Sequence, residues 1–376
     1  MATVTWDTLR ELAGFRSDKG CAISLYLDLD PSATPTAGDA DTRFRSLLSD
    51  LEKEADSRNY NGDRKQALRS DLERIRSWWS IEFDRDGVRG LAIFASAPDN
   101  FWRALPVAEA LPDEVRLARH LYLTPLVPLV GRGDGALVAF VSRERGQVFR
   151  LRGGRLEEVA DESEEQPGQH DQGGWSQGRY QRHIDKLVHD HLKAVGGEIT
   201  KRVRRRGDLQ MVIVAPEEIR GDIEGALSNE AREAIVGWAQ ARSNANATEL
   251  LDVVRPHLDK ARARQEEQVL ERWREEAGRN GRATAGWEQT LEAASDGRVD
   301  LLLVEERANR VAYQCPQCGR GSTNDGACPL DGTRLERRDD GNDLAVHHVL
   351  AHGGAILSLG RDALAEHEGI GALLRF

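Results

Sequence analysis

Short apolar runs with strand character alternate with longer segments of helical periodicity in this chain, and that alternation restricts the fold more than any other feature. Residues 21–29 and 208–215 are apolar runs typical of buried strands. Residues 42–54 and 65–79 carry apolar side chains at helical spacing. Because strands that alternate with helices assemble into sheets covered by helices, the sequence predicts an α/β fold with mixed sheets.

Breaks in this pattern divide the 376 residues into three predicted domains. The first, an α/β domain over 1–128, ends in a proline-punctuated stretch. The second, over 129–255, contains both a strongly acidic and a strongly basic stretch. The third, an α/β domain over 256–376, begins at Pro256 with a predicted charged helix and contains a cysteine-rich insertion at about 313–335.

Charge and apolar content limit the partners and the compartment. The chain has 52 Lys and Arg against 63 Asp and Glu, so its net charge is −11 and nucleic acid can be bound only through a local basic patch. No apolar run approaches the roughly 18 residues that a membrane-spanning helix needs, and the N-terminus lacks the pattern of a secretion signal. The sequence therefore predicts a cytoplasmic protein without membrane association.

Three of the four cysteines fall in the insertion and predict a metal site. Two cysteines separated by two residues and followed by glycine form one knuckle, and the same spacing recurs with aspartate in the second position. Thiolate sulfur and carboxylate oxygen are zinc ligands in tetrahedral sites, and four protein ligands leave no open position for catalysis. His347 and His348 are alternative fourth ligands, and a metal-free ribbon held by packing is the alternative to a metal site. The predicted ligands of a structural zinc ion are Cys315, Cys318, Cys328 and Asp331.

A glycine-tipped segment joins the acidic stretch to a basic helix. Residues 157–165 contain six carboxylates and no base, and they predict an acidic loop. Gly-Gly-Trp-Ser-Gln follows at 173–177, and a helix with a basic stripe is predicted over 178–195. Clustered Lys and Arg bind phosphate backbones, although a solvated surface helix is the alternative. The predicted RNA contacts are Trp175, Arg179, Arg182, Lys186, Lys193, Lys201 and Arg202.

Three features resemble the bacterial relatives of the archaeo-eukaryotic peptide chain release factors, a group that includes Pelota, over roughly the last two-thirds of the chain. The second domain places Gly-Gly, serine and glutamine before Arg179 and Tyr180 on a basic helix, where the family has its Gly-Gly-Gln loop. The third domain carries the small zinc-ribbon-like insertion. The ending Gly-Ile-Gly-Ala-Leu-Leu-Arg-Phe at 369–376 is similar to the closing segment of the family.

The resemblance implies a three-domain protein that enters the ribosomal A site as a monomer and contacts ribosomal RNA and peptidyl-tRNA, with a translational GTPase as a further partner. In such proteins the glutamine of the loop helps to position water on the peptidyl-tRNA ester, so the chemistry rests on positioning and electrostatics. Carried over to this sequence, the catalytic residues are Gln177, Gly173 and Gly174. The sequence shows no side-chain nucleophile with a triad or metal-catalysis spacing, which agrees with this chemistry.

Two departures from the family shape the predicted function. An ungapped match anchored on Arg179 and Tyr180 puts Trp175 at the family's glutamine position, whereas 174–177 fits the Gly-x-x-Gln form of the eukaryotic ribosome-quality-control peptidyl-tRNA hydrolases. The first domain has no codon-recognition motif. Peptidyl-tRNA hydrolysis in ribosome rescue or quality control is therefore predicted. The alternative is a non-catalytic ribosome-occupying hibernation or rescue factor in which Trp175 stacks on an RNA base. A ribbon scaffold that binds no RNA is a third hypothesis.

Overall fold

The structure is a computed structural model that describes residues 2–18, 21–58, 60, 62–130, 135–163, 177–205, 209–279 and 281–376, with side chains inside 177–205 described from residue 186 onward. The chain forms two compact units. Unit 1 comprises Met1–Arg132 together with Glu266–Phe376, and unit 2 comprises Gly133–Gln265. Most residues of the predicted first and third domains thus fall in one compact unit, while the two boundaries between the three predicted domains remain predictions.

The first part of unit 1 is an antiparallel sheet with two long helices on one face. In chain order its elements are α1 (Trp6–Ala13), β1 (Ala22–Asp28), α2 (Ala37–Ser57), α3 (Gly62–Ile81), β2 (Gly90–Ser96), β3 (Phe101–Val107), β4 (Glu114–Ala118) and the 3-10 helix Thr124–Leu129. The strand order is β3-β2-β1-β4, with antiparallel neighbours. Apolar side chains of α2 and α3 pack on Ile23, Leu25 and Leu27 of β1. A capping box between Thr36 and Asp39 starts α2.

Unit 2 is a mixed sheet with helices on both faces. Its elements are β5 (Leu137–Val141), β6 (Gly146–Arg152), β7 (Arg155–Asp161), α4 (Gln177–Arg205), β8 (Met211–Val214), α5 (Arg220–Ala226), α6 (Asn229–Glu233), β9 (Ile235–Ala239) and α7 (Ala247–Gly278), which continues into unit 1. The strand order is β7-β6-β5-β8-β9; β5, β8 and β9 are parallel, and the β5–β6 and β6–β7 pairs are antiparallel. Leu192, Val195 and Ile199 of α4 cover one face, and Leu250 and Val254 of α7 cover the other. The predicted α/β fold with mixed sheets is confirmed.

The acidic stretch in unit 2 differs from the sequence prediction. It forms strand β7 as far as Asp161 instead of an acidic loop. Gly153 and Gly154 precede it with φ values of 52° and 72°, a pair of left-handed residues that suits the two-residue turn of a hairpin. Leu156 is the buried residue of β7 and packs into the core on one face of the sheet. The sequence prediction of a loop rested on the carboxylates and overlooked the turn formed by the two glycines.

Two helices of unit 2 are longer than predicted. The helix expected over 178–195 reaches Arg205, because its apolar face continues to the buried Val203. The charged helix expected from Pro256 begins at Ala247 instead, since the side chain of Asn246 accepts hydrogen bonds at 3.0 Å from two backbone amides of the first turn. Pro256 therefore lies inside α7 and does not start it.

The second part of unit 1 is a mixed sheet that carries a small ribbon. Its elements after α7 are β10 (Ala283–Ala285), α8 (Trp287–Ser295), β11 (Val299–Glu305), β12 (Ala312–Gln314), β13 (Gly321–Ser322), β14 (Glu336–Arg338), α9 (Gly341–Ala351), β15 (Ala355–Leu359) and β16 (Ile370–Leu374). The sheet order is β10-β16-β11-β15, and β12, β13 and β14 form the sheet of the ribbon. Helices α8 and α9 pack on one face, and Trp273 at the end of α7 packs on the other. Within the described ranges no helix is long and apolar enough to cross a membrane.

Candidate functional site

Helix α4 is anchored on the sheet of unit 2 by its second half. Leu192 and Val195 belong to the core that the helix shares with the sheet. At the start of β6, Gly146 lets the helix approach the strand backbone: a Cβ there would lie 2.3 Å from Val195 Cγ2 and 3.0 Å from His191 Cε1. His191 is itself 1% exposed. The contact between α4 and the edge of the sheet is therefore made at residues 191–195.

Helix α4 begins at Gln177, well before its contact with the sheet at residues 191–195. Strands β5 and β7 end, and β6 begins, at the same edge, where Glu162 N donates to Gly146 O at 2.9 Å. Gln177 precedes His191 by fourteen positions in the chain. At about 1.5 Å per helical residue, the start of α4 lies about 20 Å from the packing contact. The start of the helix is thus well separated, along the helix axis, from the contact at His191.

Lysines on α4 present positive charge to solvent. Lys186, Lys193 and Lys201 are exposed, as the basic stripe predicted. Lys201 Nζ lies 3.1 Å from Glu198 Oε2, so part of its charge is neutralised locally. Among the residues that the structure describes, neither Lys186 nor Lys193 is held in an ion pair. These two side chains are the ones best placed to meet an anionic partner.

Arg202 has a structural contact that the sequence did not predict. Its guanidinium pairs with Glu198 at 2.7 Å and donates to the carbonyl of Val159 on β7, and its side chain is 23% exposed. Burial opposes ionisation of Glu198, but Lys201 and Arg202 together hold the pKa of that carboxyl below its usual value. Arg202 therefore ties α4 to β7, and its predicted RNA contact remains a prediction. Val159 lies more than forty positions earlier, so no local pattern signals the contact.

The remaining predicted residues of this site are described only in part. Gly173, Gly174 and Trp175 lie outside the described residues. The backbone of Gln177, Arg179 and Arg182 belongs to α4, but their side chains lie outside the described part of the structure. Their catalytic and RNA-binding roles therefore remain predictions.

The four predicted metal ligands converge in the ribbon. Their ligand atoms all lie within 4.8 Å of one another. Cys318 Sγ lies 3.5 Å from Cys328 Sγ, and Cys315 Sγ lies 3.3 Å from Asp331 Oδ2. Cys315 and Cys328 are buried, whereas Cys318 and Asp331 reach the surface. The ligand set predicted from spacing is thus assembled as one cluster that can hold a metal ion.

Two equivalent turns produce this cluster. Gly319 N donates to Cys315 O at 3.0 Å, and Gly332 N donates to Cys328 O at 2.9 Å. The two glycines have φ values of 80° and 72°, a conformation that side-chain-bearing residues adopt only with strain. Each knuckle glycine therefore permits the turn that brings its ligand pair to face the other pair.

The cluster fits a tetrahedral zinc ion. With metal–sulfur bonds of about 2.3 Å, two sulfurs of a tetrahedral site lie about 3.8 Å apart, close to the 3.5 Å between Cys318 and Cys328. Hydrogen bonds from the backbone amide and hydroxyl of Thr333 lower the pKa of Asp331 to about 2, so the carboxylate is ionised and suited to a cation. The alternative fourth ligands lie on α9 and are not members of the cluster: His347 and His348.

Arg320 fixes the ribbon to α8. Its guanidinium lies 2.5 Å from Asp296 Oδ1 and 3.1 Å from Glu292 Oε1. The next residue, Gly321, donates its amide to Ser295 Oγ at 3.0 Å. Because Arg320 follows the first knuckle directly, these bonds hold the cysteine cluster against the body of unit 1. The cluster is therefore held in place by contacts of the ribbon with α8 and the residue that follows it.

Comparisons with known proteins relate this chain to translation termination factors. Residues 122–277 match the family described as Bacterial archaeo-eukaryotic release factor family 10. The chain is 24% identical over 327 residues to peptide chain release factor subunit 1 of Archaeoglobus fulgidus, covering 83% of this chain and 78% of that protein. It is 26% identical over 247 residues to the protein of the same name from Methanopyrus kandleri, covering 61% of this chain and 59% of that protein. The chain thus spans about three-fifths of the second relative.

Solved structures offer only weak likenesses. A crystal structure of an archaeal translation termination factor matches with a TM-score of 0.27 and 17% identity, covering 100% of this chain and 99% of that one. Pelota of Archaeoglobus fulgidus matches with a TM-score of 0.37 and 13% identity, covering 100% and 94%. At these TM-scores neither structure supports a statement about this chain, and the relation rests on the sequence matches.

Proposed function

Because the chain is a release-factor-like protein, as the resemblance in its sequence predicted, we propose that it acts in the ribosomal A site on the ester of peptidyl-tRNA, in ribosome rescue or quality control. One observation carries the proposal. The Gly-Gly-Trp-Ser-Gln segment lies inside the family match and ends at Gln177, the first residue of helix α4. The name of the archaeal relatives, peptide chain release factor subunit 1, supports a role on the ribosome and therefore in the cytoplasm.

The shape of unit 2 supports delivery of the loop into a recessed site. The start of α4 lies about 16 Å along the helix axis from Val188, the first residue of the helix described as packed on the core, so a narrow element can enter a cavity that the sheet itself cannot enter. Exposed Lys186 and Lys193 follow the loop on this helix and are suited to RNA phosphates. The proposed RNA contacts of the loop and helix are Trp175, Arg179, Arg182, Lys186, Lys193, Lys201 and Arg202.

The proposed chemistry is ester hydrolysis by positioned water. Water adds to the ester carbonyl, the ribose oxygen leaves with a proton, and free peptide and tRNA result. The amide of Gln177 can both donate and accept hydrogen bonds, so it can orient water without a charge that must be desolvated. Gly173 and Gly174 permit the backbone to approach the ester closely. Such positioning supplies a large part of a catalytic effect without a side-chain nucleophile.

The partners follow from this function. Ribosomal RNA and peptidyl-tRNA are the proposed binding partners, a translational GTPase is a further one, and the protein acts as a monomer. The first predicted domain, 1–128, contains no codon-recognition motif. This favours rescue of stalled ribosomes over termination at a stop codon.

The cysteine cluster is proposed to bind a structural zinc ion. Cys315, Cys318, Cys328 and Asp331 would hold it, and the ion would cross-link the two knuckles of the ribbon. Support comes from the short distances between the ligand atoms and from the ionised carboxylate of Asp331.

Peptide release from ribosomes that carry peptidyl-tRNA tests the proposal. Wild type is expected to release peptide and Gln177→Ala to lose most of that activity while it still sediments with ribosomes. Gln181→Ala, one helical turn later, is the matched control and is expected to retain activity. Equal release by wild type and Gln177→Ala would remove Gln177 from the mechanism.

The position of Trp175 favours a second candidate function. In the ungapped match it occupies the place of the family's glutamine, and an aromatic ring there can stack on a base. A non-catalytic occupant of the ribosome would sediment with ribosomes without releasing peptide. Loss of one stack, worth about 1–3 kcal/mol, predicts about 5- to 150-fold weaker binding by Trp175→Ala. Peptide release by wild type would reject this candidate.

A further inference from the structure

Residues 121–124, which lead from β4 into the 3-10 helix Thr124–Leu129, are held on one side by the N-terminal sheet. Tyr122 N donates to Ser24 Oγ at 2.9 Å, and the hydroxyl of Tyr26 donates to Tyr122 O. Ser24 and Tyr26 lie on β1 and are 1% and 0% exposed. Both main-chain groups of Tyr122 are therefore bonded by buried side chains of one strand.

Helix α9 binds the same short segment from the other side. Asp343 Oδ1 accepts hydrogen bonds from Leu123 N at 2.7 Å and from the amide and hydroxyl of Thr124 at 3.2 Å each. His347 Nε2 lies 2.7 Å from Leu121 O, to which it donates, and 3.4 Å from Asp343 Oδ2. Asp343 is 1% exposed. The bonded partners are more than 200 positions apart in the chain.

The pair on α9 is a charged one. Burial opposes ionisation of both groups, but their mutual attraction lowers the pKa of Asp343 and raises the pKa of His347. Burying a carboxylate costs free energy unless hydrogen bonds and an opposite charge compensate it. Here the amides that donate these hydrogen bonds belong to residues 123–124. The attraction of His347 and the hydrogen bond from the amide of Leu123 both favour the ionised form of Asp343.

Apolar packing continues across the same place. Tyr26 and Phe94 of the N-terminal sheet, Leu344 and Val349 of α9, and Val304 of β11 belong to one hydrophobic core. Helix α1 also lies against α9. The polar contacts of Asp343 and His347 thus lie beside a core to which both ends of the chain contribute.

We infer that Asp343 and His347 form a latch that joins residues 2–130 and 281–376 into one cooperatively folding body. The latch is a property of unit 1 alone and does not depend on the proposed function. Two independently folding terminal domains would respond separately to a change in α9. A latched body must lose its N-terminal and C-terminal sheets together.

Hydrogen exchange of the full chain in increasing urea tests the latch, with peptides from β1, β11 and β8 as reporters. In wild type, β1 and β11 are expected to lose protection at the same urea concentration. Asp343→Ala should lower that concentration by about 1 M for both strands equally and leave β8 of unit 2 unchanged. Asp339→Ala removes a carboxylate that is 80% exposed and is expected to change nothing measurable.

Two further variants keep the test decisive. If Asp343→Ala does not fold, Asp343→Asn keeps an acceptor for Leu123 N but loses the charge, and a smaller equal shift of β1 and β11 is expected. His347→Gln can still donate to Leu121 O and should shift both strands less than His347→Ala. A loss of protection confined to β11, with β1 unchanged, would overturn the inference, as would the absence of any shift with Asp343→Ala.

Discussion

A methyl group added at Gly371 would test the packing that holds the last strand of unit 1. A Cβ at this position of β16 would lie 2.8 Å from Trp273 Cζ2 and 2.9 Å from both Cε2 and Nε1. Trp273 is 1% exposed, and its Nε1 donates to Thr284 O at 2.9 Å, so the ring cannot retreat without breaking that bond. Gly371→Ala is therefore expected to destabilise unit 1. The glycine belongs to the closing segment 369–376 that resembles the release-factor family.

The size of the effect follows from two opposing contributions. Carbon atoms pack best at about 3.5–4.0 Å, so the new methyl overlaps three ring atoms by well over half an ångström. Overpacking of this kind costs about 1–3 kcal/mol. Replacing glycine in a strand recovers about 0.5–1 kcal/mol of backbone entropy. The free energy of unfolding of unit 1 should therefore fall by about 1–2 kcal/mol.

Urea unfolding of the full chain, followed by hydrogen exchange in β11 and β16, measures this change within unit 1. Gly360→Ala is the matched control, because a Cβ there meets no atom within 4 Å. Trp273→Leu removes the indole ring. In that background Gly371→Ala should lower the free energy of unfolding by less, and a double-mutant cycle measures the difference. If Gly371→Ala proved as stable as Gly360→Ala, or if its cost were unchanged without the indole, the packing argument would be refuted.

Three further predictions concern other parts of the chain. Burial raises the pKa of Asp71 to about 6, so its stabilising contribution is full below about pH 4 and is lost as pH rises through 6. Asp71→Asn should consequently gain about 1–2 kcal/mol relative to wild type at pH 8, by urea unfolding, and nothing at pH 4. Zinc chelation should open residues 313–335 to protease while unit 2 stays resistant, and Asp331→Cys should slow zinc loss. Lys186→Gln with Lys193→Gln should reduce by about 2 the slope of log ribosome affinity against log salt, whereas Lys53→Gln should not.

The parts of the fold that local sequence patterns could predict are those that local interactions build. The cysteine cluster is an example, since both knuckles obey the same spacing and each turn needs its own glycine, Gly319 or Gly332. The apolar spacing of the helices also predicted which faces cover the sheets. By contrast, β7 was missed because its carboxylates outweighed the Gly-Gly turn before it. The start of α7 was missed because an interior proline is usually a boundary.

No local sequence pattern predicts the long-range contacts. The sequence predicted three domains because composition and proline breaks divide the chain that way. The hydrogen bonds between Asp343 and residues 123–124 bring the two ends of unit 1 together, and nothing near either partner signals the other. The same holds for Arg320, whose carboxylate partners lie on α8 and directly after it, and for Arg202, whose carbonyl partner lies on β7.

The basic residues of α4 differ in how they pack, so charge alone does not identify the ones that face solvent. Arg202 lies in the half of the helix that covers the sheet, and its guanidinium is used to bind Glu198 and Val159. Lys186 precedes the described residues of α4 that pack on the core; it is exposed, and among the residues that the structure describes it forms no ion pair. Arg202 therefore has a structural contact in addition to its predicted RNA contact, and the RNA contact of Lys186 remains a prediction. Along the chain, the exposed Lys186 thus comes first on α4, and the described residues that pack on the core follow from Val188 onward.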